Sequence, residues 1–268
     1  MLRTSLRIPF TIGEKMPSQE DIKAVEKRTI NILKEHGLTC CLMGSAASAF
    51  YGASRTPNLV ILLLHSQDID VVIMTTTHTQ EEIKRLIVAH DSSYSLVPAN
   101  NWRNSYKVLW HGSLGGTRCK VDILVPPTLN IPLLSESHIA LESDVPVMPL
   151  FELVLLKLQG WQDHRFASRH RPDLLAKQHV DVKDINELLV MAANRNVRRE
   201  DGRWLSPGFI GSSEMRVRTY VRRFPDSRSA WERLGFKHFI LFLYRLSLGG
   251  RARVLRLTRM EFSSLDAH

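Results

Sequence analysis

Asp68-Ile69-Asp70-Val71-Val72-Ile73 is the stretch on which the reading of this chain turns. Side chains of an extended strand alternate between its faces, so Asp68 and Asp70 point the same way while Ile69 and Val71 point into a core. Lys120-Val121-Asp122-Ile123-Leu124-Val125 repeats the pattern, with Asp122 between two apolar residues. Three acids on one sheet surface repel one another and shift their own pKa values unless a cation sits among them. Carboxylate oxygens suit Mg²⁺ (or Mn²⁺), and Mg²⁺ is held by a few carboxylates together with waters and substrate phosphates. Such a set is the equipment of phosphoryl or nucleotidyl transfer.

Upstream, the apolar run 40–43 leads into Gly44-Ser45 and a small-residue helix over 46–51. A strand-to-helix turn of this composition offers backbone N–H groups and a hydroxyl to a phosphate.

These residues together resemble the nucleotidyltransferase superfamily that includes DNA polymerase beta. Its pattern is an apolar residue, Gly, Gly or Ser, a spacer, Asp-apolar-Asp, and later a third Asp between apolar residues. Within it, Tyr51-Gly52-x-x-Arg55-Thr56 and the later helical half are most similar to the AbiEii-type and minimal nucleotidyltransferases. The resemblance covers roughly residues 21–191. It implies an α/β (α+β) domain with a mixed sheet, followed by a helical C-terminal part. It also implies that Asp68 and Asp70 hold Mg²⁺ at an NTP, that Gly44-Ser45 grips the phosphates, and that Asp122 completes a second metal site near the attacking hydroxyl.

The spacing departs from the family. The 22 residues between Ser45 and Asp68 exceed its usual spacer, and the excess reads as an insertion over 59–67. Without it, Arg55-Thr56-Pro57-Asn58 would run straight into Asp68, as in the family. An insertion that displaced Asp68 would silence the site.

At 268 residues, 44% hydrophobic and 24% charged, the chain has material for one sizeable core and a smaller second unit. Residues 1–13 carry no continuous apolar run and read as no secretory signal, and the run at 239–244 is too short to span a membrane. Three cysteines, two of them adjacent at Cys40 and Cys41, fit a reducing compartment. The expectation is an intracellular, cytoplasmic protein, with the nucleus left open and no membrane partner. Net charge is +9, and residues 195–268 hold 16 Lys+Arg against 7 Asp+Glu, so the excess lies entirely in the C-terminal part.

In chain order, an N-terminal extension (1–17) precedes an α/β unit (18–127), a helical subdomain (128–194) and a basic Arg-rich region (195–268). Ser18 reads as the N-cap of a helix over 18–36, and Thr79 with Glu82 as a capping box opening another. Strands are expected over 94–97, 106–110 and 117–125, with Lys107 and Lys120 as solvated strand lysines by default and substrate contact as the alternative. Pro126-Pro127 ends the sheet. Residues 151–161 form a buried helix, in which Lys157 needs a partner or snorkels to the surface; the resemblance places it towards the triphosphate. Residues 163–172 read as a polar loop in which His164 and His170 are solvated, as is His179.

Lys177-x-x-x-Asp181-x-x-Asp184 leads into a further helix and resembles a second signature of the AbiEii-like group, with Lys177 on phosphate and Asp181 orienting it. Capping of that helix is the structural alternative for Asp181. Arg55 is either a phosphate ligand or an exposed arginine. Residues 207–213 read as loop, and 230–248 as a helix. Arg216, Arg218, Arg222 and Arg223 present cations to an anionic partner, nucleic acid first, or serve solubility.

The leading expectation is therefore metal-dependent transfer of NMP from an NTP to RNA, a protein hydroxyl or a small molecule. One alternative is a catalytically silent relative binding nucleotide or RNA. Another is a nucleotide-sugar glycosyltransferase using Asp68-Ile69-Asp70 as its metal motif.

Overall fold

A computed structural model describes residues 17–53, 68–99, 105–113, 116–168 and 170–237. The chain divides into two compact units, Met1–Phe236 and Lys237–His268, and every described helix and strand belongs to the first. The insertion over 59–67, Arg55, residues 1–13 and the run at 239–244 all lie outside the described residues.

The first helix, α1 (Gln19–Glu35), starts where a serine can accept an orphan amide: Ser18 Oγ accepts from Asp21 N, and Asp21 returns the bond in a capping box. Its inner face, Ile22, Val25, Ile32 and Leu33, is buried. Gly37, at φ +70°, turns the chain into β1 (Cys40–Leu42), which is buried at every position. Then come α2 (Gly44–Phe50), β2 (Asp68–Ile73) and α3 (Gln80–His90), the last opened by the Thr79–Glu82 capping box. β3 (Tyr94–Pro98), β4 (Lys107–His111) and β5 (Cys119–Leu124) complete this half of the chain.

The sheet does not end at Pro126-Pro127. Two short strands, β6 (Ala140–Glu142) and β7 (Val145–Val147), return to it, and the seven strands stand in the order β3-β4-β5-β2-β1-β7-β6. β2 runs antiparallel to β1 and parallel to β5, while β7 is parallel to β1. β2 therefore sits at the centre. Ile69, Val71, Val121 and Ile123 are almost wholly buried, which leaves the alternate positions of β2 and β5 for polar side chains.

The helical part consists of α4 (Leu150–Arg165), α5 (Pro172–Asn194), α6 (Pro207–Arg223) and α7 (Arg228–Arg233). Its core is aromatic: Trp161 meets Tyr220 edge to face at 4.9 Å, and Tyr220 meets Trp231 at 6.0 Å.

The structure corrects three further expectations. Residues 207–213 are helix rather than loop, because Ser206 caps α6 by accepting from Phe209 N and Pro207 supplies a first-turn residue that needs no amide partner. The helix expected from 230 instead runs from Arg228 and ends at Arg233, with Gly235 at φ +102° closing it; residues from 238 lie outside the described set. Residues 163–165 belong to α4 rather than to a loop. Among the described residues, no helix is long and apolar enough to cross a membrane.

Candidate active site

The parallel β2–β5 ladder pairs Asp68 with Lys120 and Asp70 with Asp122. Four polar side chains thus occupy one patch of sheet, two from each strand, and three of them are acids. Local alternation puts each acid on this face, and the register of a parallel pair puts the two strands' acids side by side.

Asp70 is the most constrained. Gly44, at φ +63°, lies against it so closely that a Cβ there would sit 2.1 Å from Asp70 Oδ2. Only glycine satisfies both the left-handed backbone and the contact. The turn is held from below as well, since Met43 N donates to Asp70 O at 2.9 Å. α2 begins here without a side-chain cap on its first turn, Ser45 is its second residue, and Ser48 Oγ donates back to Gly44 O at 2.9 Å.

The electrostatics arise from this crowding. Burial, with Asp122 and Asp68 alongside, pushes the Asp70 carboxyl up to about 7, against the opposing pull of Lys157 and Lys120. Asp68 is raised too, chiefly by burial, with Lys120 and then Lys177 opposing. Lys157 and Lys177, from the helical part, therefore act on the carboxylates through space.

Lys120 is not a solvated strand lysine. Its Nζ donates to Asp122 Oδ2 at 2.5 Å and to Asp68 Oδ2 at 3.1 Å. Burial depresses the ammonium, but Asp122 and Asp68 outweigh that and hold its pKa above the ordinary lysine value. The signal for it was present in the sequence: Lys120 stands two residues before Asp122, hence on the same strand face.

In the helical part, Lys157 does find a partner, donating to Asp184 Oδ2 at 2.6 Å. Asp181 caps nothing, for it lies in the middle of α5. It accepts from His164 Nδ1 at 2.6 Å, so His164 is bonded and half-buried rather than solvated. Burial, partly offset by His164, leaves Asp181 above its ordinary carboxylate range. Lys177 is half-buried on the same helix, one turn before Asp181. On α6, Val217, Tyr220 and Val221 face the core, which leaves Arg218, Arg222 and Arg223 exposed and Arg216 half-buried.

Does this patch fit a divalent ion? In kind and number it does. Three carboxylates share one face, and burial together with the two neighbouring acids disfavours the charged form of one of them, a cost that a hard ion among them would relieve. As the side chains stand, no group of three or more His, Cys, Asp or Glu among the described residues is disposed around a metal position, and an ammonium bridges two of the three acids.

No family model matches the chain, and no curated protein matches its sequence. The fold does have counterparts. It is similar to that of an antigenic nucleotidyltransferase-like protein from Paracoccidioides brasiliensis, with a TM-score of 0.57 at 18% identity over 81% of this chain and 94% of that one. A tRNA-processing enzyme in an apo form aligns at a TM-score of 0.30 and 16% identity, over 66% of this chain and 54% of that one, too loosely for anything to be carried over. The architecture is thus a nucleotidyltransferase-like α/β fold.

Proposed function

We propose that this chain is a metal-dependent nucleotidyltransferase that moves NMP from an NTP to an acceptor hydroxyl. One observation carries the reading: Asp68, Asp70 and Asp122 lie side by side on adjacent strands, and Asp70 sits so close to Gly44 that a Cβ there would fall 2.1 Å from its Oδ2. Asp68, Asp70 and Asp122 would hold Mg²⁺ or Mn²⁺. The ion would supply charge stabilisation at the transferring phosphoryl group.

The chain's own residues do the rest. Gly44 lets the backbone approach the site closely, and Ser45 offers its hydroxyl and first-turn amide to phosphate. Lys157, oriented by Asp184, directs positive charge towards Asp70 and thus towards the phosphates beside it. Lys177 does the same at Asp68. Within the fold, we place the chain nearest the AbiEii-type group, on Tyr51-Gly52-x-x-Arg55-Thr56 and on Lys177-x-x-x-Asp181-x-x-Asp184. The acceptor class we favour is RNA, because α6 exposes Arg218, Arg222 and Arg223.

The test is incubation of the full chain with Mg²⁺ or Mn²⁺ and each α-labelled NTP, offered RNA and protein acceptors. Label should appear on one acceptor and be lost with Asp70→Asn or Asp122→Asn, each of which stays folded. Absence of metal-dependent NTP binding by the unmutated chain would sink the enzyme reading. A second reading, a silent nucleotide- or RNA-binding module, is favoured by the ammonium already bridging Asp68 and Asp122. It predicts salt-sensitive RNA binding without any transfer.

A further inference from the structure

The β2–β5 patch is a four-cornered array with a single cationic corner. Lys120 is paired on one side with Asp68 in β2 and on the other with Trp110 in β4, so its backbone is fixed at the centre of a three-strand row. The side chain is 25% exposed, and its two bonds go to Oδ2 of Asp68 and Oδ2 of Asp122, one from each strand. A lysine head is a compact charge on a flexible stem with rotatable donors, able to let go of both oxygens while β5 stays in place.

Ammonium and divalent ion draw on the same two carboxylates. A cation bound by Oδ2 of Asp68 and Asp122 would stand beside Nζ on shared oxygens, and two positive centres at such a separation repel strongly in a half-buried setting. Without a divalent ion the three acids oppose one another, and Lys120 is the cation bonded to two of them.

We propose that Lys120 is the site's built-in counter-ion: it holds Asp68 and Asp122 in place before a divalent ion binds, and it must leave both carboxylates when one does. The inference rests on the reading of these acids as metal ligands. Ammonium and ion are then mutually exclusive occupants, and Lys120 sets the concentration at which the site loads. Once displaced, its head remains within a side chain's length of the patch, where the phosphates of a bound nucleotide are the nearest new anions.

The experiment is a Mn²⁺ titration of the full chain, following free Mn²⁺ by electron paramagnetic resonance, with melting temperature measured alongside. Lys120→Met, which removes both competing contacts, should bind Mn²⁺ about tenfold more tightly than the unmutated chain, equivalent to about 1.4 kcal/mol. It should also melt lower without metal, and the gap should close as Mn²⁺ saturates. Lys120→Arg, whose rigid fork keeps hold of carboxylates, should bind Mn²⁺ more weakly than the unmutated chain. This variant retains the charge and keeps the test open if the methionine variant fails to fold. Equal or weaker Mn²⁺ binding by Lys120→Met, or tighter binding by Lys120→Arg, overturns the role of Lys120 while leaving the metal-ligand reading intact. No Mn²⁺ binding by any of the three chains overturns both.

Discussion

Asp70 and Asp91 are the same residue type in opposite predicaments. Asp70, in the centre of the sheet, is burdened by burial and by two neighbouring acids and is pushed up to about 7. Asp91, at the end of α3, is also opposed by burial, but Arg28 and the Ser93 amide outweigh it and draw the carboxyl down to about 2. Asp91 closes a joint between α1 and α3, and its charge is fully answered within the fold. The charge of Asp70 is not. A protein that retains an unanswered carboxylate at the centre of its largest sheet gives up stability there, and such places are characteristically functional. The Lys157–Asp184 pair likewise sets one cation against one acid, whereas burial keeps the Asp181 carboxyl raised in spite of His164.

The contrast can be attacked in order of effect. Gly44→Ala is the most severe change, because it adds a methyl group 2.1 Å from Asp70 Oδ2 at a backbone φ of +63°. We expect nucleotidyl transfer to fall by about 10³-fold, with a stability loss of about 2 kcal/mol read by urea unfolding. A variant retaining near-full transfer would show that close approach at Gly44 is dispensable.

Asp70→Asn comes next, and its sign is set by the raised pKa. The folded state holds the Asp70 proton more tightly than the unfolded chain, so its contribution is whole below about pH 4 and is lost as pH rises through about 7. The amide mimics the protonated acid and escapes this loss. Without metal, Asp70→Asn should therefore match the unmutated chain at pH 4 and exceed it by roughly 2 to 4 kcal/mol at pH 8. Parallel curves of melting temperature against pH would remove Asp70 from its place in the comparison.

Arg28→Ala is the mildest. Asp91 is depressed, so the stability it gives is present above about pH 4 and lost as pH falls towards about 2. Removing a half-exposed arginine should cost about 1 kcal/mol or less at pH 7 and nothing at pH 2. A larger loss at pH 2 than at pH 7 would mean the pair is not what lowers Asp91.

Alternation made the acids legible in the sequence. Asp68-Ile69-Asp70 and Val121-Asp122-Ile123 state their faces outright, and Gly44-Ser45 marks the strand-to-helix turn, although the close approach of Asp70 to Gly44 emerges only in the fold. β6 and β7 were not legible. Each has only three residues, Pro146 interrupts one, and Leu141 in the other is 67% exposed, so no period-two pattern can emerge. Pairings across helices were legible only in part. A lysine in a buried helix demands a counter-charge, but nothing local says that Asp184 provides it, and periodicity can name the face of Asp181 without naming His164 as what it faces. The role of Lys120 was missed because a strand lysine defaults to solvent until a parallel register sets an acid beside it.

The return of β7 to the sheet has a mechanical consequence. Met148 N donates to Leu42 O at 2.8 Å and Tyr51 Oη donates to Met148 O at 3.0 Å, so the root of α4 is pinned by both the strand before Gly44 and the end of the helix after it. Lys157 stands seven residues along that pinned helix. The backbone that carries Lys157 is thus tied to the turn at Gly44 like a tooth on a fixed strut rather than a finger on a hinge.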